Sequence, residues 1–118
     1  MLTKERMLEL AKRRVEEVQV KAWGGETVFM RGMTGADRNA FLIRVRDPRS
    51  EPGKYIINEA TYAHELIARC LCDADGKRLF GEGETAQVGE FPPEVLDELM
   101  TVAQRLSGMD GDGEAEKN

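Results

Sequence analysis

The stretch from Val15 to Phe41 constrains the fold most, because it reads as strand, glycine turn, strand and capped helix in immediate succession. Val18 and Val20 alternate with Glu17, Gln19 and Lys21, the period of a half-buried strand. Gly24-Gly25 supplies the positive φ that a tight reversal requires. Thr27 to Arg31 returns in residues that suit a pleated surface. Thr34 then opens a helix as N-cap, and Asp37 places an acid at the positive end of its dipole. Glu or Gln is the usual third member of a capping box, so Thr34 and Asp37 are a near match.

The remaining segments are predominantly helical. Thr3 caps a predicted first helix running to about Arg13, with Met7, Leu8 and Ala11 on one apolar stripe. The second helix spans Gly35 to about Arg46 and is expected to bury Ala40, Phe41 and Val45. Asp47 to Gly53 holds two prolines and a glycine, which end that helix in an exposed loop. Asn58 caps the third helix, about Glu59 to Cys72, where Ala63, Leu66, Ile67, Cys70 and Leu71 give the clearest helical period in the chain. Asp73 to Gly76 reverses the chain, Arg78 to Phe80 can lie extended, and Glu84 to Val88 can form a short helix. Pro93 starts the last helix, to Ser107, with Val95, Leu96, Leu99, Val102, Ala103 and Leu106 facing inward and Gly108 as its stop. The predicted fold class is α+β: about four helices with an N-terminal β-hairpin, one domain over residues 1–108. Residues 109–118 read as a disordered acidic tail, having too little apolar surface to repay ordering.

Composition bounds the function. With 118 residues the chain suits a single core. No apolar run approaches the ~20 residues of a membrane span, and Met1 to Glu5 reads as a native start rather than a signal peptide, so a cytoplasmic site is expected. The net charge of −5 hides an asymmetry: residues 1–49 hold 11 Lys/Arg against 7 Asp/Glu, and residues 50–118 hold 6 against 15. Such a dipolar molecule can stack head to tail or accept a charged partner, whereas nucleic-acid binding favours a concentrated basic patch. Two solvated faces with no partner are the alternative.

No catalytic constellation stands out. His64 is the only histidine, and Cys70 lies six positions along the same helix, about 9 Å away at 1.5 Å per residue. His64 is therefore expected on a helix surface, and Cys70 as a buried small hydrophobe. Cys70 and Cys72 fall short of the four ligands a zinc site needs. Asp73-x-Asp75-Gly76 opens like a calcium loop, but Lys77 and Arg78 follow, and a local turn explains it better. No cofactor or metal is expected, nor an enzyme. Trp23, the lone tryptophan, either packs on the hairpin or anchors a partner subunit, with packing the expectation.

Three segments together resemble the tail assembly chaperones of long-tailed bacteriophages and prophages: Trp23-Gly24-Gly25, Met33-Thr34-Gly35-Ala36-Asp37-Arg38 through Phe41, and Leu71-Cys72-Asp73 through Phe80. A C-terminal helix ending Ala103-Gln104-Arg105-Leu106 also fits, so the similarity runs from Met1 to about Gly108. Trp23, Gly24, Gly25, Thr34, Asp37 and Phe41 are the candidate partner-binding or structural residues. The resemblance implies a non-catalytic protein that keeps the tape measure protein soluble, forms homo-oligomers, acts in the bacterial cytoplasm and is absent from the mature virion. A small DNA-binding regulator and a structural tail-completion protein are the alternatives. The first would need clustered Lys/Arg, yet Arg38, Arg44, Arg46 and Arg49 are interspersed with Phe41, Leu42, Ile43 and Val45.

The resemblance also implies a longer form, made by −1 ribosomal slippage, whose extension recruits the major tail protein. Glu116-Lys117-Asn118 can be encoded GAA-AAA-AAC, which contains the slippery heptamer A-AAA-AAC. Sequencing the coding DNA is expected to show that heptamer and an open −1 frame beyond Asn118; another codon at Lys117 sinks the idea.

Overall fold

The computed structural model describes residues 1–109. The hairpin forms where the alternation and the glycines place it. Strand β1 (Val15–Val20) pairs antiparallel with β2 (Glu26–Arg31), in a register running from Val15 opposite Arg31 to Val20 opposite Glu26. A 3-10 turn at Lys21–Trp23 joins them, and Gly24 and Gly25 adopt φ of 68° and 86°. The Gly25 N–H closes the turn on the Val20 carbonyl at 2.9 Å.

Helix α1 (Lys4–Leu10) precedes the hairpin, and α2 (Gly35–Arg44) follows it. Helix α3 (Glu59–Cys70) runs straight into a third strand, β3 (Leu71–Cys72), which pairs antiparallel with β2 through Met30–Leu71 and Phe29–Cys72. The sheet order is β1-β2-β3. A one-turn α4 (Thr85–Val88) and the long α5 (Pro93–Leu106) complete an α+β domain. The core joins Val20 and Met30 of the sheet to Phe41, Leu66, Ile67, Cys70, Val88, Val95, Leu99 and Ala103, all fully buried. The α5 face is as predicted, with Leu96, Val102 and Leu106 packed at its margin.

Several predicted boundaries move, each for a local reason. Helix α1 stops at Leu10, not Arg13, and none of its residues is buried, so the stripe of Met7, Leu8 and Ala11 has nothing beneath it. Helix α2 ends at Arg44 because Arg46 pairs in a β-bridge with Ile57, and Ala40 is half-buried rather than buried. Leu71 and Cys72 leave α3 because the open edge of β2 offers their backbone a ladder instead. The strand edge thus wins over helical periodicity. The short helix foreseen at Glu84–Val88 is a 3-10 turn at Glu82–Glu84 followed by α4, which with the other four makes five α-helices among the described residues. The turn at Asp73 is local: its Oδ1 accepts from the Asp75 and Lys77 N–H groups at 2.8 and 3.0 Å.

Helix α5 ends in a Schellman motif, with the Gly108 N–H on the Arg105 carbonyl and the Met109 N–H on that of Gln104. Gly108 has φ 73°, and Met109 packs back on the core instead of starting the acidic tail. The rest of that predicted tail lies outside the described residues. Gly32, unremarked in the sequence, is fixed by close approach: a Cβ there would sit 2.1 Å from the Leu106 carbonyl oxygen.

These packing facts set two outcomes. Leu66→Asp and Leu99→Asp should each abolish the cooperative melt, because an unpaired buried carboxylate costs several kcal/mol against a total stability of about 5–15 kcal/mol. Gly32→Ala should lower Tm by pushing α5 off the end of β2. Circular dichroism melts check both.

Candidate partner-binding surface

The six sequence-selected residues do not converge on one site. Trp23 sits at the hairpin tip, its ring edge-on to Phe91 with centroids 5.1 Å apart, and Phe91 meets Phe80 in the same way at 6.1 Å. The Glu98 carboxylate on α5 accepts from the Lys21 and Ala22 N–H groups, both at 2.8 Å, and so clamps the turn holding Trp23. Gly24 and Gly25 have open space around their Cα atoms, and it is their positive φ that the turn uses. Phe41 is fully buried and packs edge-on against Tyr62 at 5.3 Å.

Thr34 and Asp37 form a reciprocal capping box despite the shorter acid. The Thr34 hydroxyl accepts from the Asp37 N–H at 3.1 Å, and Asp37 Oδ2 accepts from the Thr34 N–H at 3.0 Å. The same Oδ2 accepts from Arg31 Nη1 at 3.0 Å, which ties α2 to the end of β2.

Beyond Asp37 lies a charged cluster that the sequence reading missed. Glu65 and Arg69 lie one turn apart on the buried face of α3, only 4% and 3% exposed. An i,i+4 pair of this kind reads as a mutual ion pair, yet each finds a different partner. Glu65 accepts from Arg44 in a two-pronged contact at 2.7 and 2.9 Å, and from the Thr85 hydroxyl at 2.9 Å. Arg69 donates to both oxygens of Glu82 at 2.6 and 2.7 Å and lies 3.8 Å from Asp37. Arg78 also reaches Glu82, at 3.1 Å. The sequence signal was available: two charges inside the most regular apolar period of the chain.

Burial pushes the carboxyls of Asp37 and Glu65 up, but the hydrogen bonds outweigh it. Those from Thr34 and Arg31 hold Asp37 below its ordinary value, and those from Arg44 and Thr85 do the same for Glu65. Burial raises the Cys70 thiol to about 11, so it stays protonated at neutral pH, beside the Ser107 hydroxyl at 3.6 Å. His64 is half-buried rather than on the surface; a Cβ at Gly89 would meet its Nδ1 at 3.1 Å. Of the four arginines weighed for DNA binding, Arg44 is held by Glu65, Arg49 by Asp47 and Arg46 by the Ser50 carbonyl.

The unsatisfied apolar surface lies elsewhere. An open groove of about 330 Å³ is lined by Ile57, Tyr62, Ala63 and Met100, with Glu59 among them. A neighbouring one of about 340 Å³ shares Ile57 and Tyr62 and extends past Arg38, Phe41 and Leu42 to Met109. Tyr55, Ile56 and Ile57, the last of them in the groove wall, are 48%, 39% and 41% exposed, and on a separate element α1 exposes Met7, Leu8 and Leu10. Exposed apolar surface gathered beside a groove marks an interaction site. An apolar lining of this kind suits one face of an amphipathic helix.

Compared with known proteins, residues 4–118 match the family described as phage tail assembly chaperone. The chain belongs to that family. Its fold is shared with a solved structure, that of the bacteriophage HK97 tail assembly chaperone, at 24% identity and a TM-score of 0.59, over 87% of this chain and 98% of that one. No curated protein matches it significantly. The charged cluster is engaged within the fold, whereas the two apolar grooves stay open. Among the described residues no helix is long and apolar enough to cross a membrane.

The depressed carboxyls give a pH dependence of known sign. A carboxyl held below its unfolded value stabilises the fold above about pH 4 and loses that contribution as pH falls through its lower folded value. Tm should therefore be flat from neutral pH to about 5 and fall below about 4. Glu65→Gln should cost about 2 kcal/mol at pH 7 and flatten part of the acid fall, so that its melt converges on that of the unaltered protein at pH 3.

Proposed function

We propose that this protein binds the phage tape measure protein and keeps it soluble while the tail polymerises, without catalysing a reaction. The observation that carries this reading is the apolar groove beside Tyr55, Ile56 and Ile57, on a chain of the tail assembly chaperone family. A long helical client exposes apolar faces that aggregate, and a groove of this lining covers one turn of such a helix at a time. Many copies along one client then do what a single copy cannot. Self-association belongs to the same proposal, held in part by attraction between the basic N-terminal half and the acidic C-terminal half. Such charge pairs weaken with salt as the Debye length shrinks from about 10 Å at 0.1 M to 3 Å at 1 M.

The proposed place of action is the cytoplasm of the bacterial host, with the chaperone absent from the finished virion. A longer frameshifted form would carry the contact to the major tail protein.

Co-expression with the tape measure protein of the same phage should move that client from pellet to supernatant and co-purify it. Met100→Glu should weaken the effect while leaving the charged cluster intact. Unchanged client solubility with no co-purification sinks the proposal.

A further inference from the structure

The two apolar grooves meet at Ile57 and Tyr62, which line both, and so form one trough. Helix α5 borders it from Met100 in the first groove to its C-cap Ser107 in the second. That stretch is two helical turns, about 10 Å at 1.5 Å per residue.

Each groove has one charged lining residue, and the two differ in sign. Glu59 stands beside Ala63 and Met100, whereas Arg38 stands beside Leu42 and Met109. Both are exposed, and among the described residues neither side chain has an ion-pair or hydrogen-bond partner. This sets Arg38 apart from Arg31, Arg44, Arg46 and Arg49, which Asp37, Glu65, the Ser50 carbonyl and Asp47 hold. Arg38 also lies in the first turn of α2, where the positive end of the dipole disfavours a cation. The fold gains nothing from that charge. Glu59 suits the first turn of α3, yet the same carboxylate faces an otherwise apolar lining.

We propose that Glu59 and Arg38 select the client segment. The trough takes a two-turn amphipathic helix with a basic residue near one end of its apolar face and an acidic residue near the other. This deepens the client-binding reading above and rests on it, with the client helix as the sole occupant of the trough. The apolar floor supplies the affinity, because exposed ion pairs contribute little by themselves. The charges discriminate: a helix with two bases or two acids sets a like charge against one end of the trough.

The test uses the full chain and fluorescence anisotropy. The probes are peptides of about 16 residues, long enough to hold a helix, with a leucine stripe and two charges set two turns apart. Those charges are Lys and Glu, Lys and Lys, or Glu and Glu. The mixed peptide should bind about fivefold more tightly than either like-charged one at 0.1 M salt, and the preference should fade at 1 M. Arg38→Glu should shift the preference to the Lys/Lys peptide, and Glu59→Lys to the Glu/Glu peptide. The Arg38→Glu, Glu59→Lys double variant should restore the mixed peptide, docked the other way round. Arg38→Gln and Glu59→Gln, each expected to flatten the preference, replace any reversal that fails to fold by circular dichroism. Equal affinities for all three peptides overturn the selection and leave the groove as the client site. Failure to bind any peptide overturns it as well, and unchanged client solubility on co-expression would then sink the parent reading too. Asp110 and Asp112 follow Met109 in the chain. If Asp110→Asn with Asp112→Asn tightens the Glu/Glu peptide alone, Arg38 belongs to the chain's own acids and its part in client selection is overturned.

Discussion

The enclosure of α3 is the constraint on which the other elements depend. Six consecutive residues, Glu65 to Cys70, are buried, so the last turn and a half of this helix has no solvent face. Four of them are apolar and pack against the sheet, α4 and α5. The other two are charged, and a buried charge without a partner costs several kcal/mol. Arg44 must therefore reach back from the end of α2, and Thr85 must cap the contact from α4. Glu82 must lie over Arg69, which places the 3-10 turn at Glu82–Glu84. Asp37 joins the same cluster while holding the N-terminus of α2. The helices are thus located by charge neutralisation as much as by apolar packing.

The local part of this design was legible in the sequence, and the non-local part was not. The hairpin, the Gly24-Gly25 reversal, the Thr34–Asp37 cap and the inward face of α5 depend on neighbours a few residues apart. Propensity and period report such neighbours directly. Strand β3 depends on an edge of β2 more than forty residues earlier, and nothing local tells Leu71 and Cys72 to leave a helix they extend so well. Gly32 depends on the end of α5 at Leu106, farther off still in sequence. Of the candidate site, Trp23 was read for packing, and it meets Phe91; Phe41 was expected on a buried face, and it is core. The groove was not foreseen, because Ile57, Tyr62 and Met100 are brought together only by tertiary structure.

Helix α1 shows the converse error. Its stripe of Met7, Leu8 and Ala11 has the period of a buried face, and the structure buries none of it. Amphipathic period states that a surface wants covering, not that the same chain covers it. An amphipathic helix left over after the core is complete is apolar surface that the described fold does not cover.

The residues that hold this fold are thus distinct from those that leave apolar area exposed. Trp23, Thr34, Asp37 and Phe41 are engaged in turns, caps and core, so changing them alters the folded population before it alters any contact with a partner. A loss of activity in those variants cannot by itself place them at an interface. Leu8, Ile56 and Ile57 are exposed, and surface changes of this kind usually move stability by less than about 0.5 kcal/mol. Sequence resemblance drew attention to the first set, and these residues hold the fold. The second set is where a partner can be gained or lost at little cost to folding, and it is visible only as apolar area that the finished core leaves uncovered.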